Sequence, residues 1–545
     1  MPNKKLTVLL VFVLTFFFYL YTLSPSLAWG DGVRLQSEAI SGESFILSEM
    51  TGSEFSPDPY PFSKVGITAW DHPLYIVIGH SLVSALPSVD SIWLVNLISA
   101  LFGAATVALI FLLSYRFTSS FMASMYAALS LAVSHTFWWH SSTPEVYTLF
   151  AFLLVASLYF FDQFERTNKV SALTASTFFL GLAGTNHILA FVALPALAIY
   201  LLPLKRFWHI LPRKPREYIP PLLGFMLGFL LFLIQLFRMT HSFSIAEIMG
   251  PIVGSTFLGG LGTFSLIPLA ESLITYLLFL SFQFSPLGII LGVFGIRKVF
   301  DNPDPSLRKI VWLYIAYTVF GIFYQVTDQF AFFLTSHVFF ALLMGIGAAY
   351  LFTILWTKAR IVLTSILLLS IVAVPFVYRA IPRLAQINGI GDSALKIPQI
   401  GTGLRNGLAY YIDPNKRGDF AAYDFGYETI TNLAPDAVVI AEWYTDTDEY
   451  FILRYFHKVV GERPDVTVIG FPTDDPFSFD PQLVLDVIAD AFPRHPVYLA
   501  SLSYRFYATS TLIEKYCILP EDNIYRLYPK GNDALQCLGS DAVTE

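Results

Sequence analysis

The sequence predicts a polytopic α-helical membrane protein that ends in a smaller soluble α/β domain. Three observations predict it. The chain is 55% hydrophobic and only 13% charged, with a mean hydropathy of +0.60, a composition that ordinary soluble domains do not carry. Apolar stretches of about 20 residues, the length needed to cross the hydrocarbon of a bilayer, recur from the N-terminus to residue 379. Beyond residue 380, charged residues return every few positions and apolar runs shrink to strand length.

The apolar stretches place eleven expected spans at 6–28, 91–114, 119–137, 144–163, 170–186, 188–204, 218–237, 270–296, 310–325, 331–356 and 361–379. The first is read as a retained helix rather than a signal peptide, because spans of the same kind follow it. With the N-terminus in the cytoplasm, the inner loops carry sixteen basic residues, from Lys4 and Lys5 to Lys358 and Arg360. The outer loops before residue 380 carry four: Arg34, Lys64, Arg238 and Arg379. That bias follows the positive-inside rule and puts the C-terminal domain outside. The apolar run PLYIVIGHSLVSALP (73–87) is too short to span and contains His80, so it reads as an interfacial or re-entrant helix. The domain plan is therefore a membrane core over 1–380, with an outer loop at 29–90 carrying interfacial helices, and an extracytoplasmic α/β domain over 381–545.

Within that domain, 436–442, 465–470 and 496–501 are β-type runs, separated by helix-like 448–460 and 481–492. Cys517 and Cys537 both fall there and either pair or remain as thiols. No basic excess, dinucleotide fingerprint, phosphate loop or metal-type Cys/His spacing appears, which excludes a nucleic-acid partner and a resident nucleotide or metal as leading readings.

Ionisable side chains near a bilayer cost a few kcal/mol when unpaired, so several of them on one side of one protein mark a site. Asp31, His72, His140, Glu145, His187, Asp328 and His337 all border outer mouths of different spans. Each also has a structural reading. His140 and His337 read as packing histidines, and Glu145, after Pro144, reads as a helix-start carboxylate. Asp328 terminates a span, Arg34 pairs with Glu38 at i+4, and Lys64 is a solvated loop charge. Asp31 differs, because Gly30 and Gly32 flank it at a helix exit, where they permit a tight turn and close backbone approach. Asp446 and Asp448 form an Asp-x-Asp, but they precede a helix as N-cap residues do. The apolar, glycine-broken stretch 241–270 suits a groove for an isoprenoid chain.

The order LSPSLAWGDG, DHPLYIVIG, FWWHSSTPEVYTL, GLAGTNHILAFVALPA and ERPDVTVIG resembles the transmembrane protein 260 family of O-mannosyltransferases. The resemblance covers most of the chain, with PEVY and ERPDVTVIG its distinctive pieces. It implies a GT-C type membrane glycosyltransferase that uses a polyprenyl-phosphate sugar on the outer or lumenal face. It implies that Asp31 is catalytic, that Glu145 and Tyr147 match the family's E-V-Y, and that His187 matches a histidine at a later outer mouth. Arg34 stands where relatives usually carry Glu, and His72-Pro73-Leu74 has one proline where they carry two.

The chemistry agrees independently. A lipid-phosphate sugar keeps its tail in the bilayer and its anomeric carbon at the surface, which is where a carboxylate at a helix exit stands. Asp31 then serves as general base for an incoming hydroxyl, probing an inverting transfer. One carboxylate suffices, since a phosphate leaves more readily than a glycosidic oxygen. Arg34 or Arg238 is placed to neutralise that phosphate, with His72, Glu145, Tyr147, His187 and Asp328 as further donor-binding residues. The expected partners are a polyprenyl-phosphate sugar, the bilayer and an acceptor hydroxyl, a Ser or Thr of an exported protein; no cofactor and no divalent metal is expected. The competing readings are a transporter, which usually shows inverted repeats and midplane charges that this sequence lacks, and a membrane scaffold with a binding ectodomain.

Overall fold

The computed structural model describes residues 4–44, 68–69, 72–202, 214–241, 243–246, 248–249, 266–324, 326, 328–392, 405–443, 449–472, 480–502, 504–531 and 536–538. Lys64, Asp446 and Asp448 lie outside them, as does most of the glycine-broken stretch 241–270. The membrane core runs α1 (Lys4–Thr22), α2 (Asp31–Ser41), α3 (Pro73–Ala85), α4 (Ser91–Thr118), α5 (Phe121–Ala132), α6 (His135–Ser142), α7 (Tyr147–Thr167) and α8 (Val170–Asn186). It continues through α9 (Ala193–Leu201), α10 (Ile219–Met239), α11 (Leu266–Gln283), α12 (Pro286–Asp301), α13 (Arg308–Phe323), α14 (Gln329–Phe332), α15 (Leu334–Ile354) and α16 (Thr357–Ile387).

Among the described residues seven helices are long and apolar enough to cross a membrane, or eight if the bent pair formed by α11 and α12 is one span. The rest of the eleven expected segments are shorter. Stretch 119–137 breaks between α5 and α6, and 270–296 bends by 114° at the Ser285-Pro286 junction. A short helix, α3, occupies 73–85 as the sequence implies. The first span ends at Thr22 rather than residue 28, because Ser24-Pro25-Ser26 leaves the helix and its backbone finds other partners.

Burial follows position in the bundle. Helix α15 buries sixteen consecutive residues, Leu334 to Ala349, so it is apolar on every face and central. In α16 only Leu367, Tyr378 and Pro382 are buried, as expected of a helix on the lipid side. Helices α12 and α15 cross in backbone contact: a Cβ on Gly295 would fall 2.0 Å from the Leu343 carbonyl oxygen, and one on Gly347 would fall 2.0 Å from that of Leu291. Small residues let membrane helices pack this closely.

The C-terminal part contains α17 (Gly407–Ile412), α18 (Ala421–Asn432), β1 (Val438–Trp443), α19 (Glu449–Arg454), β2 (Thr467–Pro472), α20 (Gln482–Ala491), β3 (Val497–Leu499), β4 (Tyr516–Glu521) and β5 (Ile524–Pro529). The strand order is β2-β1-β3-β5-β4, parallel across the first three and antiparallel beyond. Three strands coincide with the β-type runs of the sequence. The β4–β5 hairpin was not among them, since YCILPE and IYRLYP mix polar and apolar residues without a clean alternation. Cys517 and Cys537 form a disulfide. The domain is not packed separately: Leu27, Trp29, Val33, Ile92 and Trp139 of the membrane core share one apolar cluster with Tyr410, Phe425 and Phe451.

Candidate active site

The catalytic candidate is delivered by a loop held from below. After α1 the Ser24 amide donates to the Ser142 carbonyl at 2.8 Å. Asn96, on α4, donates its Nδ2 to the carbonyls of Ser24 (2.9 Å) and Ser26 (3.0 Å). Gln36, on α2, donates Nε2 to Asn96 Oδ1 at 2.7 Å and accepts the Ala28 amide at 3.1 Å. Both amide side chains are fully buried, so a satisfied polar ladder fixes the loop that precedes Asp31. Gly30 then takes φ 68°, a left-handed value that opens α2. A Cβ on Gly32 would stand 2.7 Å from Ala28 Cβ and 3.1 Å from Pro144 Cγ, so only glycine lets α2 rest against the Pro144-Glu145 turn. The two glycines thus set Asp31 beside Glu145.

Asp31 lies in the first turn of α2, where a carboxylate offsets the positive helix end, and its side chain keeps 40% of its exposure. Arg34 is buried and sits 3.6 Å from Asp31 and 3.6 Å from Glu38. The ion pair with Glu38 is therefore present, and Asp31 shares the same guanidinium. Glu145 stands in the turn before α7, outside the span, its amide accepted by Ser99 Oγ at 3.0 Å and its carbonyl bonded by the same hydroxyl at 3.1 Å. Burial, reinforced by the carboxylates of Asp31 and Asp328 and offset only in part by Arg34, holds the Glu145 carboxyl well above the usual carboxylate range.

A row of rings continues the site. The His72 and His187 ring centroids are 5.0 Å apart, His187 and Tyr147 5.6 Å, and Tyr147 and His140 5.1 Å. His72 Nδ1 meets the Asn186 carbonyl at 2.8 Å, and His187 Nδ1 accepts the Leu189 amide at 3.2 Å. Burial and the neighbouring His72 push the His187 imidazole well below its ordinary pKa, so it is neutral at physiological pH. Phe332, four residues after Asp328, completes the wall with its ring 5.8 Å from Tyr147.

Seven of the eight predicted site residues, Asp31, Arg34, His72, Glu145, Tyr147, His187 and Asp328, thus come together although they lie on five separate stretches of chain. Arg238 lies on α10, where its guanidinium bonds Gln235 at 2.9 Å. His140 is both a packing histidine, with Nδ1 on the Thr136 carbonyl at 2.7 Å, and a neighbour of Tyr147. His337 is buried among Tyr276, Phe284 and Phe333, as its packing reading expects. Among the described residues no group of three or more His, Cys, Asp or Glu is arranged to hold a metal ion. Sequence reasoning missed Gln36, Asn96 and Ser99; for Asn96 and Ser99 the available signal was a polar side chain in an otherwise apolar helical stretch.

Residues 71–209 match the family model of the protein O-mannosyl-transferase TMEM260 N-terminal domain. This stretch of the chain is similar to the TMEM260 N-terminal domain. That domain starts at the His72 edge of the site and contains Glu145, Tyr147 and His187. In fold, the chain is similar to ArnT from Cupriavidus metallidurans bound to undecaprenyl phosphate, at 13% identity and TM-score 0.57 over 96% of this chain and 97% of that one. The apo form of the same protein gives 14% identity and TM-score 0.56, with the same coverage. The apo oligosaccharyltransferase of Archaeoglobus fulgidus gives 12% and 0.50, over 96% of this chain and 75% of that one. The architecture around the TMEM260-type domain is thus a GT-C glycosyltransferase fold. No curated protein sequence matches the chain.

Proposed function

We propose that the protein moves a hexose, mannose or a relative, from a polyprenyl-phosphate donor to an acceptor hydroxyl on the extracytoplasmic face, with inversion at the anomeric carbon. The observation that carries this reading is a partly exposed Asp31 together with a buried Glu145, whose carboxyl is held well above the usual carboxylate range by burial and by the charges of Asp31 and Asp328. A buried carboxyl of raised proton affinity suits the role of hydrogen-bond donor, and a partly exposed carboxylate suits that of base. Asp31 takes the proton of the acceptor hydroxyl as its oxygen bonds the anomeric carbon, and the lipid phosphate leaves from the opposite face with the electron pair of the broken bond. Glu145, neutral, donates a hydrogen bond to a phosphate oxygen, and Arg34 balances its charge. The basic bias of the inner loops supports an outer site, and a fold neighbour bound to undecaprenyl phosphate supports a donor of that class. A Ser or Thr of an exported protein is the acceptor this reading favours, by analogy with the TMEM260 name.

The test is transfer in sealed vesicles of known orientation, with labelled polyprenyl-phosphate mannose, polyprenyl-phosphate glucose and nucleotide sugars, with and without chelator. Transfer from a lipid donor to acceptors on the outer side, unaffected by chelator, is expected. Direct use of a nucleotide sugar, abolished by chelator, would sink the mechanism.

Glu145→Gln separates the neutral-acid role from a charged one. Glutamine keeps a hydrogen-bond donor, so turnover stays within about tenfold, while Glu145→Ala loses about 1.5–3 kcal/mol of a bond to a charged group, roughly 10- to 100-fold in rate. The sign with pH follows from the raised proton affinity: the active protonated form is lost as pH rises through the folded pKa. A pH–rate profile should show that alkaline limb in the native protein and lack it in Glu145→Gln.

A further inference from the structure

The segment Arg405–Arg417 leads into the outer domain, yet its backbone is read by the membrane core. Trp139 donates its Nε1 to the Tyr410 carbonyl at 3.1 Å, and His135 Nε2 meets the Tyr411 carbonyl at 2.7 Å. The Lys416 amide donates to the carbonyl of Thr22, the last residue of α1, at 2.9 Å. Lys416 itself is 2% exposed. Its ammonium donates to the carbonyls of Tyr410 and Asp413, and lies 4.2 Å from the Tyr410 ring centroid and 5.4 Å from that of Trp139. Two carbonyls and two ring faces thus replace its hydration. Burial lowers its pKa to about 8, Asp413 and Asp419 opposing part of that fall, so the charged form persists at neutral pH.

The same segment touches the loop that delivers the catalytic candidate. The Arg405 guanidinium is 5.6 Å from the ring of Trp29, two residues before Asp31, and 5.4 Å from that of Tyr411. The Phe425 ring of α18 packs tilted against Trp29 with centroids 5.8 Å apart, and Val33 of α2 belongs to the same buried cluster. The first half of α2 is therefore gripped twice, by the Gln36–Asn96 ladder from the membrane side and by this strap from outside.

We infer that the outer domain is a working part of the catalytic mouth: the strap 405–417, pinned by Lys416, is a positioning element that sets Asp31 through Trp29 and Trp139. Its kinetic consequence rests on the transferase reading above; its structural consequence does not. Lys416 touches no substrate in this scheme. It fixes the turn whose carbonyls Trp139 and His135 read, and a catalytic group displaced by about 1 Å loses on the order of a hundredfold in rate.

The test compares native protein with Lys416→Met and with the milder Trp139→Phe, by turnover, donor KM and amide hydrogen exchange. Lys416→Met is expected to lower kcat by about 10- to 100-fold with donor KM within about twofold, and to speed exchange of the α2 amides while those of α15 keep their protection. Trp139→Phe should move the same quantities less, and it decides the matter if Lys416→Met does not fold. Unchanged α2 exchange in folded variants, or loss of protection across the whole bundle, overturns the inference. If the native protein transfers no sugar from any polyprenyl phosphate, the transferase reading falls and the exchange result alone decides the strap.

Discussion

Asp31→Asn is expected to leave a folded, membrane-inserted protein whose sugar transfer falls by about 10²–10⁴-fold, the range a positioned general base supplies. Asparagine keeps the shape of the side chain and the contact with α2 but cannot take the acceptor's proton. Stability should change little, because the Asp31 carboxylate is 40% exposed and its ion pair with Arg34 spans 3.6 Å, a surface-type pair of modest worth. Donor binding should persist, since Arg34 and Glu145 remain. Purified Asp31→Asn with native turnover would remove Asp31 from the reaction and leave the site without a base.

Lys309→Met is expected to destabilise the protein by about 3–5 kcal/mol, the cost of leaving buried carboxylates short of a partner. Lys309 is fully buried at the start of α13, and its ammonium reaches Asp162 Oδ1 at 2.9 Å and Glu165 Oε2 on α7. Arg116 and Arg166 also bond Asp162, at 2.8 and 2.7 Å, but among the described residues Glu165 is otherwise held only by the Tyr200 hydroxyl at 2.6 Å. The network ties α4, α7, α9 and α13 together at the end of the bundle away from Asp31. Thermal unfolding in detergent should show the loss, and adding Glu165→Gln to Lys309→Met should recover much of it, because removing both partners of a buried pair costs far less than removing one. A Lys309→Met protein as stable as the native one would mean that water reaches these carboxylates.

Much of the site was legible as residue types at positions. The Gly30-Asp31-Gly32 turn carried its own signal, because glycine at a helix exit has few other uses, and φ 68° at Gly30 and the tight approach of Gly32 to Pro144 agree with it. For Arg238 the sequence offered sidedness alone, which cannot say which way a helix is turned about its axis. Lys309, fully buried, and Arg116, partly buried, both pair with Asp162, a partnership that no periodicity in the sequence announces.

The sequence by itself determined the membrane class, most of the segments that form helices, three of the strands and Asp31 as the residue to watch. These depend on local quantities, the transfer cost of each side chain and the backbone freedom of each glycine, which are written residue by residue. Only the tertiary structure decided that Asp31, His72, Glu145, His187 and Asp328 converge, that burial among them raises the proton affinity of Glu145, and that residues 405–417 meet Trp29. Convergence depends on how helices rotate and cross, which is set by contacts such as Gly295 on Leu343 and Gly347 on Leu291 between distant parts of the chain. A buried carboxyl's proton affinity depends in turn on the charges that this packing brings beside it.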